Sequence, residues 1–300
     1  MRKFGFILIS ALLTGACTLG QAGVAPVKKD FSVQLYSIRS VIGNPELYAQ
    51  NHEEAFRALA GMGYTSVEPA HYGDGKLYGV APEQFKADLE AAGLTCLSTH
   101  VTKNLSPEEL ASGNFEESMK WWDVAIAAHK AAGARYIVQP AFPVPDNLKD
   151  LKTWCDYFNA VGRKCAEAGI QFGYHNHSHE FKKVEDQVVY DFMLRNTDPQ
   201  DVFFEMDVYW AVMGHAAPVE YFRKYPGRFK LLHIKDHYEL GESGMVGFDA
   251  IFRNAETGGV EGIVVELEGF STGDWKTSMK MCADYLLRSD FVPGDYRSSK

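Results

Sequence analysis

The sequence predicts an α/β fold made of a single (β/α)₈ barrel, and three observations support this prediction. Amphipathic helical stretches alternate with short apolar stretches rich in β-forming residues, which is typical of a parallel sheet. Eight such repeats occur, with an average length of about 32 residues, close to one β-α unit. About 270 residues follow Asp30, which suits a barrel of about 250 residues, so we expect one domain over residues 31–300.

The eight strand candidates are short apolar segments, and glycines precede several of them. They cover residues 31–36, 65–69, 94–100, 136–139, 171–177, 202–207, 229–234 and 263–267. Gly63, Gly93, Gly133 and Gly169 each follow a helical stretch, where a left-handed residue without a Cβ ends a helix at little cost. An open doubly wound sheet would need a glycine-rich turn after the first strand, but residues 34–39 contain no glycine. A closed barrel is therefore the better interpretation.

Prolines and apolar periodicity predict the helices. Pro45, Pro82 and Pro107 stand at the first position of helical stretches, where the missing N–H costs nothing. Between residues 146 and 168 apolar side chains recur at spacings of three and four, so one face of this helix packs inward. The last predicted helix covers residues 275–288.

The first residues predict export from the cytoplasm. Arg2 and Lys3 precede an apolar run over residues 4–13, followed by small residues, which is the pattern of a secretory signal. At about ten residues this run is too short for a transmembrane helix, which needs about 20. We therefore expect the segment to be cleaved.

A lipid anchor is the predicted outcome of this cleavage. Residues 13–17, LTGAC, resemble a bacterial lipoprotein lipobox, in which the cysteine becomes the lipidated first residue of the mature protein. The resemblance implies a signal peptide over residues 1–17, lipidation at Cys17, a tether over residues 18–30 and an extracytoplasmic location, periplasmic or at the cell surface. The anchor would be the only membrane contact. Ordinary cleavage near Ala16, with Cys17 left free, is the alternative.

Composition excludes one class of partner and one class of scaffold. The chain has 30 basic and 39 acidic residues, and loss of Arg2 and Lys3 with the signal moves the net charge from −9 to −11. Such a surface repels phosphate backbones, so we expect no nucleic acid partner. The four cysteines after residue 17 are too few for a disulfide framework in a chain this long, and we interpret them as mostly buried thiols.

Polar residues gather at the predicted carboxyl ends of the strands, where the active site of such a barrel lies. Buried polar groups must pair, face solvent or bind something, so these are the candidate site residues. They are Gln34, Glu68, His71, His100, Gln139, His175, His177, Glu205, Asp207, His233, Lys235, Asp236, Glu266 and Glu268.

Four of these residues predict a metal site. His175 lies at the end of the fifth strand, Asp207 at the end of the sixth, His233 at the end of the seventh and Glu266 at the end of the eighth. Neighbouring strands are about 4.8 Å apart, so four consecutive strand ends can surround one ion. Two histidines and two carboxylates suit Mn²⁺, Co²⁺ or Zn²⁺ better than Ca²⁺, and Mg²⁺ is also less suited. For the histidines His175 and His177, the alternative is a hydrogen-bonded pair in the core.

The chain resembles the sugar isomerase/epimerase superfamily of xylose-isomerase-like barrels over residues 31–288. The resemblance rests on VQLYS at 33–37, VE at 67–68, GYHNH at 173–177, DVYW at 207–210, LHIKD at 232–236 and VE at 265–266. It implies one divalent metal held by residues from the last four strands, with Asp207, His233 and Glu266 in three of the places. The family usually carries a glutamate on the fifth strand, where this chain has His175. Epimerisation between two opposed carboxylates is therefore in doubt.

The resemblance implies an isomerase or epimerase that acts on an unphosphorylated sugar or keto-sugar through a metal-bound enediolate. The predicted export and the lack of a basic cluster or glycine-rich phosphate cradle argue against a sugar phosphate. Related barrels include 3-keto-glycoside lyases or hydratases and inosose dehydratases, so a 1,2-elimination is an alternative. A lipoprotein that binds sugar without turnover is the alternative from another class. The sequence leaves the substrate, its stereochemistry, the native metal and the oligomeric state open.

Site roles follow from the resemblance as expectations. His177 and His100 are candidate acid–base residues, Lys235 a candidate to polarise an oxygen, and Glu68 an active-site hydrogen-bond partner. Hydrogen bonding behind the site is the alternative for His100, and a salt bridge the alternative for Lys235. The candidate substrate-binding residues are Gln34, Gln139, Tyr209 and Trp210. A carbohydrate pocket could be formed by five aromatic residues, Tyr36, Tyr72, Phe142, Tyr209 and Trp210; packing as ordinary loop aromatics is the alternative.

Overall fold

A computed structural model describes Met1 and residues 28–296 of this chain. The predicted signal peptide, the lipidation site Cys17 and most of the predicted tether lie outside the described residues, so these remain predictions.

One nearly closed barrel of nine parallel strands forms the centre of the molecule, which confirms the predicted fold class. The strands are β1 Ser32–Gln34, β2 Ser66–Glu68, β3 Thr95–Cys96, β4 Ser98–His100, β5 Tyr136–Gln139, β6 Gln171–His175, β7 Val202–Asp207, β8 Leu231–Lys235 and β9 Gly262–Glu266. Around the barrel they follow the order β3-β2-β1-β9-β8-β7-β6-β5-β4.

The ninth strand arises because the third predicted strand is interrupted at Leu97. Its first half, β3, pairs with β2, and its second half, β4, pairs with β5. At the interruption, Leu97 N donates to Val67 O at 3.0 Å, and Leu97 O accepts from Arg135 N at 3.0 Å. The two halves therefore occupy the place of one barrel strand whose pairing changes from β2 to β5, and they bring the two ends of the sheet together.

Helices surround the barrel. They are α1 Arg39–Ile42, α2 Pro45–Met62, α3 Pro82–Ala91, α4 Pro107–Ser112, α5 Glu116–Ala131, α6 Leu148–Glu167, α7 Val189–Asn196, α8 Val208–Met213, α9 Pro218–Lys224, α10 Phe248–Arg253, α11 Ala255–Gly258 and α12 Trp275–Arg288. Short 3₁₀ turns cover Leu35–Ile38 and His179–Phe181, and two hairpins pair Tyr72–Gly73 with Lys76–Leu77 and Lys183–Val184 with Gln187–Val188.

The helix boundaries agree with the signals in the sequence. Pro45, Pro82 and Pro107 each begin a helix, and α12 has the predicted bounds. The helix predicted over residues 146–168 is α6, which begins after Asn147, whose side chain accepts a hydrogen bond from the Asp150 N–H. No helix among residues 28–296 is both long and apolar enough to cross a membrane.

The barrel interior has an apolar layer below a polar one. Tyr136, Val138, Phe203 and Leu231 form a buried cluster of their own, against which Leu97 packs. Their neighbours along each strand belong instead to the large core between sheet and helices, as the two-residue period of a strand requires. The four cysteines of the described region, Cys96, Cys155, Cys165 and Cys282, are buried free thiols, as expected.

Gly173 on β6 makes room for the Phe203 ring in the apolar layer. The two residues are register partners, and a Cβ at position 173 would lie 2.5 Å from that ring. We predict that Gly173→Ala lowers the free energy of unfolding by about 1–3 kcal/mol through overpacking. Gly61→Ala is the matched control, because Gly61 lies inside α2 with nothing within 4 Å of its added methyl; it should stabilise by about 0.5–1 kcal/mol. Urea unfolding measures both, and equal effects would contradict the packing argument.

His129 on α5 predicts that the folded protein loses stability as the pH falls. Its imidazole is buried, neither ring nitrogen has a hydrogen-bond partner, and burial lowers its pKa to about 3. Because the unfolded chain takes up this proton near pH 6.5 and the folded chain does not, stability is full above pH 6.5 and falls towards pH 3. Between pH 7 and pH 5 this one group should cost about 2 kcal/mol.

The variant His129→Leu should remove that loss, measured by urea unfolding at the two pH values. The control is His179→Leu, since the His179 side chain is 46% exposed and loses little hydration on folding. An unchanged difference between pH 7 and pH 5 in His129→Leu would show that another group causes the acid weakness.

Candidate metal centre and substrate cleft

The carboxyl-terminal half of the barrel interior brings together carboxylates and histidines from six strands. Strand register sets their relative heights: Gln34 pairs with Glu68, Glu205 with His175, Asp207 with His233 and Lys235 with Glu266. The seven residues that form the centre are Glu68, His100, His175, Glu205, Asp207, His233 and Glu266, all nearly or fully buried.

The deeper part of the centre is a network of two carboxylates and two histidines. His233 Nε2 lies 2.8 Å from Glu68 Oε1 and 3.5 Å from Glu205 Oε2. His100 Nε2 lies 3.0 Å from Glu68 and 2.8 Å from Glu205, and its ring stacks on the His233 ring at 5.1 Å. Each histidine therefore contacts both carboxylates.

Burial and charge act in opposite directions on these groups. Burial lowers the pKa of His100 and His233, but the facing carboxylates outweigh it and raise the pKa of each histidine above its ordinary value. Burial also raises the pKa of both carboxyls; the two histidines bring the pKa of Glu68 below its usual value, whereas the pKa of Glu205 stays raised because Glu68 lies close by. Without a bound cation the network therefore favours charged histidines, and a cation bound at His233 Nδ1 would replace the proton on that nitrogen.

The upper part of the centre is the group Asp207, His233 and Glu266. His233 Nδ1 lies 3.5 Å from Glu266 Oε2 and 3.9 Å from Asp207 Oδ2. Asp207 uses Oδ1 to cap α8 by accepting the Trp210 N–H at 2.7 Å. Its Oδ2, like His233 Nδ1, is buried without a hydrogen-bond partner, and burial raises the pKa of Asp207 to about 7.

These three residues fit a divalent cation. One ligand atom from each residue lies within 4.8 Å of the others. Two buried atoms, Asp207 Oδ2 and His233 Nδ1, have no hydrogen-bond partner, and a bound cation would be the partner of both. Imidazole nitrogen with carboxylate oxygen is the donor set of Mn²⁺, Co²⁺ and Zn²⁺ sites.

His175, the fourth predicted ligand, lies one layer deeper than the other three. Its Nδ1 is 3.3 Å from Glu205 Oε2, and its ligand atoms group with His100, Glu205 and His233. The cause is register: β6 pairs its last residue with Glu205, two residues before Asp207. The next residue, Asn176, binds the Asp207 main chain through both ends of its amide at 3.3 Å. His233 is shared by the two groups.

Glu205 is the member of the centre to which the sequence assigned no role. Its Oε2 lies within 3.5 Å of a nitrogen of His100, of His175 and of His233. The available signal was its place two residues before Asp207, because alternate residues of a strand share a face.

A cleft of about 480 Å³ opens above the centre. Its charged and titratable lining residues are His100, His175, His177, Glu266 and Glu268. The remaining lining residues are Tyr36, Ala70, Tyr72, Val101, Thr102, Trp121, Pro140 and Ala141. Glu266 thus belongs both to the metal-binding group and to the cleft.

Of the two histidines proposed for acid–base chemistry, His177 and His100, His177 is the one whose imidazole is neutral at pH 7. Its half-buried imidazole lies 5.0 Å from that of His175, and burial lowers its pKa to about 4. Glu180, whose Oε2 accepts the His177 N–H at 2.9 Å, holds the main chain of this residue in place.

Lys235 is buried beside the cleft and is paired. Its Nζ lies 3.4 Å from Glu266 Oε2 and 3.3 Å from Glu268 Oε1. Burial lowers the pKa of Lys235, but Glu266 and Asp207 raise it above its usual value, so the ammonium is charged. The salt bridge to Glu268, the alternative interpretation of Lys235, is present, and its role in polarising a substrate oxygen stays a prediction.

The predicted substrate-binding residues do not line the cleft. Gln34 donates to Glu68 Oε1 at 2.8 Å and accepts the Tyr36 N–H at 2.9 Å, and Gln139 donates to the Ala141 carbonyl at 3.0 Å. Tyr209 and Trp210 lie beside Lys235, whose Nζ is 5.9 Å and 5.7 Å from their rings.

Of the other aromatic candidates, Tyr36 and Tyr72 line the cleft, whereas Phe142 packs in the core against Trp154 at 5.0 Å. Trp121 also lines the cleft and was missed, because it lies on α5 rather than after a strand.

Comparison with known proteins agrees with this geometry. Residues 56–285 match the family model described as xylose isomerase-like TIM barrel. No curated protein matches the chain.

Solved structures are also similar. A sugar phosphate isomerase/epimerase from Parabacteroides distasonis is 36% identical over 88% of this chain and all of its own, with a TM-score of 0.80. A second sugar phosphate isomerase/epimerase from that organism is 35% identical over 93% of this chain and all of its own, also with a TM-score of 0.80. An L-ribulose 3-epimerase shares the fold at 13% identity, over 86% of this chain and 93% of its own, with a TM-score of 0.67.

Proposed function

This chain belongs to the xylose isomerase-like TIM barrel family, and we propose that it is a metal-dependent isomerase or epimerase of an unphosphorylated sugar or keto-sugar. The observation that carries the proposal is the place of Glu266. It belongs to the buried group with Asp207 and His233, and it also lines the cleft above the centre. An ion held by that group would therefore meet a ligand in the cleft.

Asp207, His233 and Glu266 would hold the metal, with His175 as a candidate fourth ligand from below. When bound, Mn²⁺, Co²⁺ or Zn²⁺ would polarise a substrate carbonyl and balance the negative charge that develops when the neighbouring proton leaves. Glu68 supports this arrangement, because its bond to His233 Nε2 turns the other ring nitrogen towards Asp207 and Glu266.

His177 and His100 supply complementary protonation states in one cleft. His177 is neutral at pH 7, since its pKa is lowered, and can accept a proton from a substrate carbon. His100, whose pKa is raised by Glu68 and Glu205 against the effect of burial, can donate one. Two titratable groups whose pKa values are moved apart are the arrangement that acid–base catalysis requires. Lys235 can donate a hydrogen bond to a substrate oxygen from beside Glu266.

The cleft favours an unphosphorylated substrate. Among the described residues that line it, none is lysine or arginine, the side chains that bind phosphate in proteins, and the charge of Lys235 beside it is already paired with Glu266 and Glu268. The names of the two Parabacteroides distasonis proteins refer to sugar phosphates, so the substrate proposed for this chain differs from theirs in lacking a phosphate group.

A 1,2-elimination on a 3-keto-glycoside is the second candidate, and His175 favours it. Where the family usually carries a second carboxylate on this strand, this chain carries a histidine whose pKa is lowered by burial. Elimination needs one base and one acid, which His177 and His100 can supply, and no second opposed carboxylate.

Isosteric amides should identify which group holds the metal. We expect about one transition metal ion per wild-type chain by elemental analysis after purification without chelator. Asp207→Asn should lose it, because the amide is a poorer ligand, while asparagine still caps α8. Glu205→Gln should retain most of it. The opposite pattern would place the ion among His100, His175, Glu205 and His233.

Proton exchange in D₂O should reveal the reaction. With Mn²⁺ and ketohexoses or 4-nitrophenyl 3-keto-glucosides, we expect mass spectrometry to find deuterium at the carbon next to the carbonyl. His177→Ala should slow exchange by about 10²–10⁴-fold, whereas His179→Ala, at an exposed position two residues further along, should not.

Three results of this experiment separate the candidates. Release of nitrophenol would identify the lyase, and exchange without release the isomerase or epimerase. Sugar binding without exchange at any metal loading would contradict both and leave a binding protein.

A further inference from the structure

The cleft is also lined by aromatic side chains that the proton chemistry does not use. Besides the histidines and glutamates, Tyr72 and Trp121 line it, and their rings are in contact. We propose that these two rings, the aromatic wall, bind a second ring joined by a glycosidic bond to the sugar that reacts beside the histidines and glutamates. The proposal rests on the function proposed above and narrows its substrate class to glycosides and oligosaccharides.

The aromatic wall is built by elements that follow the strands. Tyr72 begins the hairpin after β2, and its ring meets the Trp121 ring edge to face at 5.7 Å and 90°. Behind Tyr72 lies the buried ring of His129, 4.6 Å away. The tyrosine is therefore fixed from two sides, and its orientation does not wait for a ligand.

Trp121 is fixed in the same way. Its ring packs edge to face against Trp122 at 5.2 Å, and the buried Trp122 donates its indole N–H to the Tyr157 hydroxyl at 2.7 Å. The ammonium of Lys103 lies 6.0 Å from the Trp121 ring. A rigid, partly exposed aromatic face loses little conformational entropy when a ligand stacks on it.

Size and chemistry together favour a second ring. A cleft of about 480 Å³ falls within the range of pockets that hold drug-sized ligands, and one pyranose is smaller than such a ligand. The reacting sugar belongs beside the histidines and glutamates that carry the proposed chemistry. The remaining lining offers the aromatic faces of Tyr72 and Trp121 with Val101, Pro140 and Ala141, which suit the C–H face of a pyranose or an aryl ring.

Tyr36 also lines the cleft. The residue is 45% exposed, and the Arg39 guanidinium lies 4.3 Å from the centre of its ring. Arg39 also donates to the carbonyls of Tyr36 and of Glu268, each at 3.0 Å. Arg39 therefore holds Tyr36 beside Glu268, one of the polar residues of the cleft.

Binding of three probes tests the proposal: glucose, cellobiose and 4-nitrophenyl β-D-glucoside, each titrated into the metal-loaded protein by ligand-observed NMR. We expect both two-ring probes to bind at least about fivefold more tightly than glucose, which is the size of one aromatic stacking contact. Trp121→Ala should abolish this preference and leave glucose unchanged, and Trp121→Phe should retain most of it. Trp275→Ala, which removes a half-buried tryptophan from α12, is the matched control and should keep the preference.

The proposal is overturned if the two-ring probes bind no more tightly than glucose, or if Trp121→Ala weakens glucose as much as the two-ring probes. Failure of the proposed function looks different. A preference that depends on Trp121, without deuterium exchange on any substrate, would support the subsite and refute the enzyme. Deuterium exchange on single-ring keto-sugars by the wild-type protein, with no preference for two-ring probes, would refute the subsite and support the enzyme.

Discussion

The centre of this protein depends on the contact between His233 and Glu68. The Glu68 carboxylate fixes one ring nitrogen of His233, so the other nitrogen must face Asp207 and Glu266. His100 and Glu205 extend the contact to four alternating charges inside the barrel. Such a network is expensive to bury, and removal of one partner leaves an uncompensated charge at a cost of about 3–5 kcal/mol. What this network of charges provides in return is the fixed orientation of the His233 ring.

The barrel creates this centre by placing a polar layer on an apolar one. The cluster of Tyr136, Val138, Phe203 and Leu231 closes the interior from below, so the network has low-dielectric surroundings on that side and the cleft on the other. In those surroundings charge and desolvation move pKa values strongly. His100 and His177, which line the same cleft, are moved in opposite directions because one faces carboxylates and the other mainly loses solvent.

The proposed chemistry and the proposed selectivity depend on different parts of the fold. The candidate metal ligands and the titratable groups stand on or just after strands of the barrel, where main-chain pairing holds them in place. The aromatic wall comes from a hairpin and from α5, which belong to the connections between strands. In barrels of this kind such connections vary while the strands persist. The similarity to the two Parabacteroides distasonis structures therefore speaks for the fold and not for the ligand at the aromatic wall.

From the sequence alone, the alternation of strand and helix, the bounds of α12 and the gathering of Asp207, His233 and Glu266 could be determined, since each follows from local periodicity or from the rule that parallel strands end at one edge. The tertiary structure decided the rest. The partner change at Leu97, the depth of His175 beside Glu205 and the approach of Trp121 to the cleft all depend on the stagger between neighbouring strands and on how helices pack around them. A single chain's periodicity records which face a residue takes, but it does not record its height relative to residues on another strand.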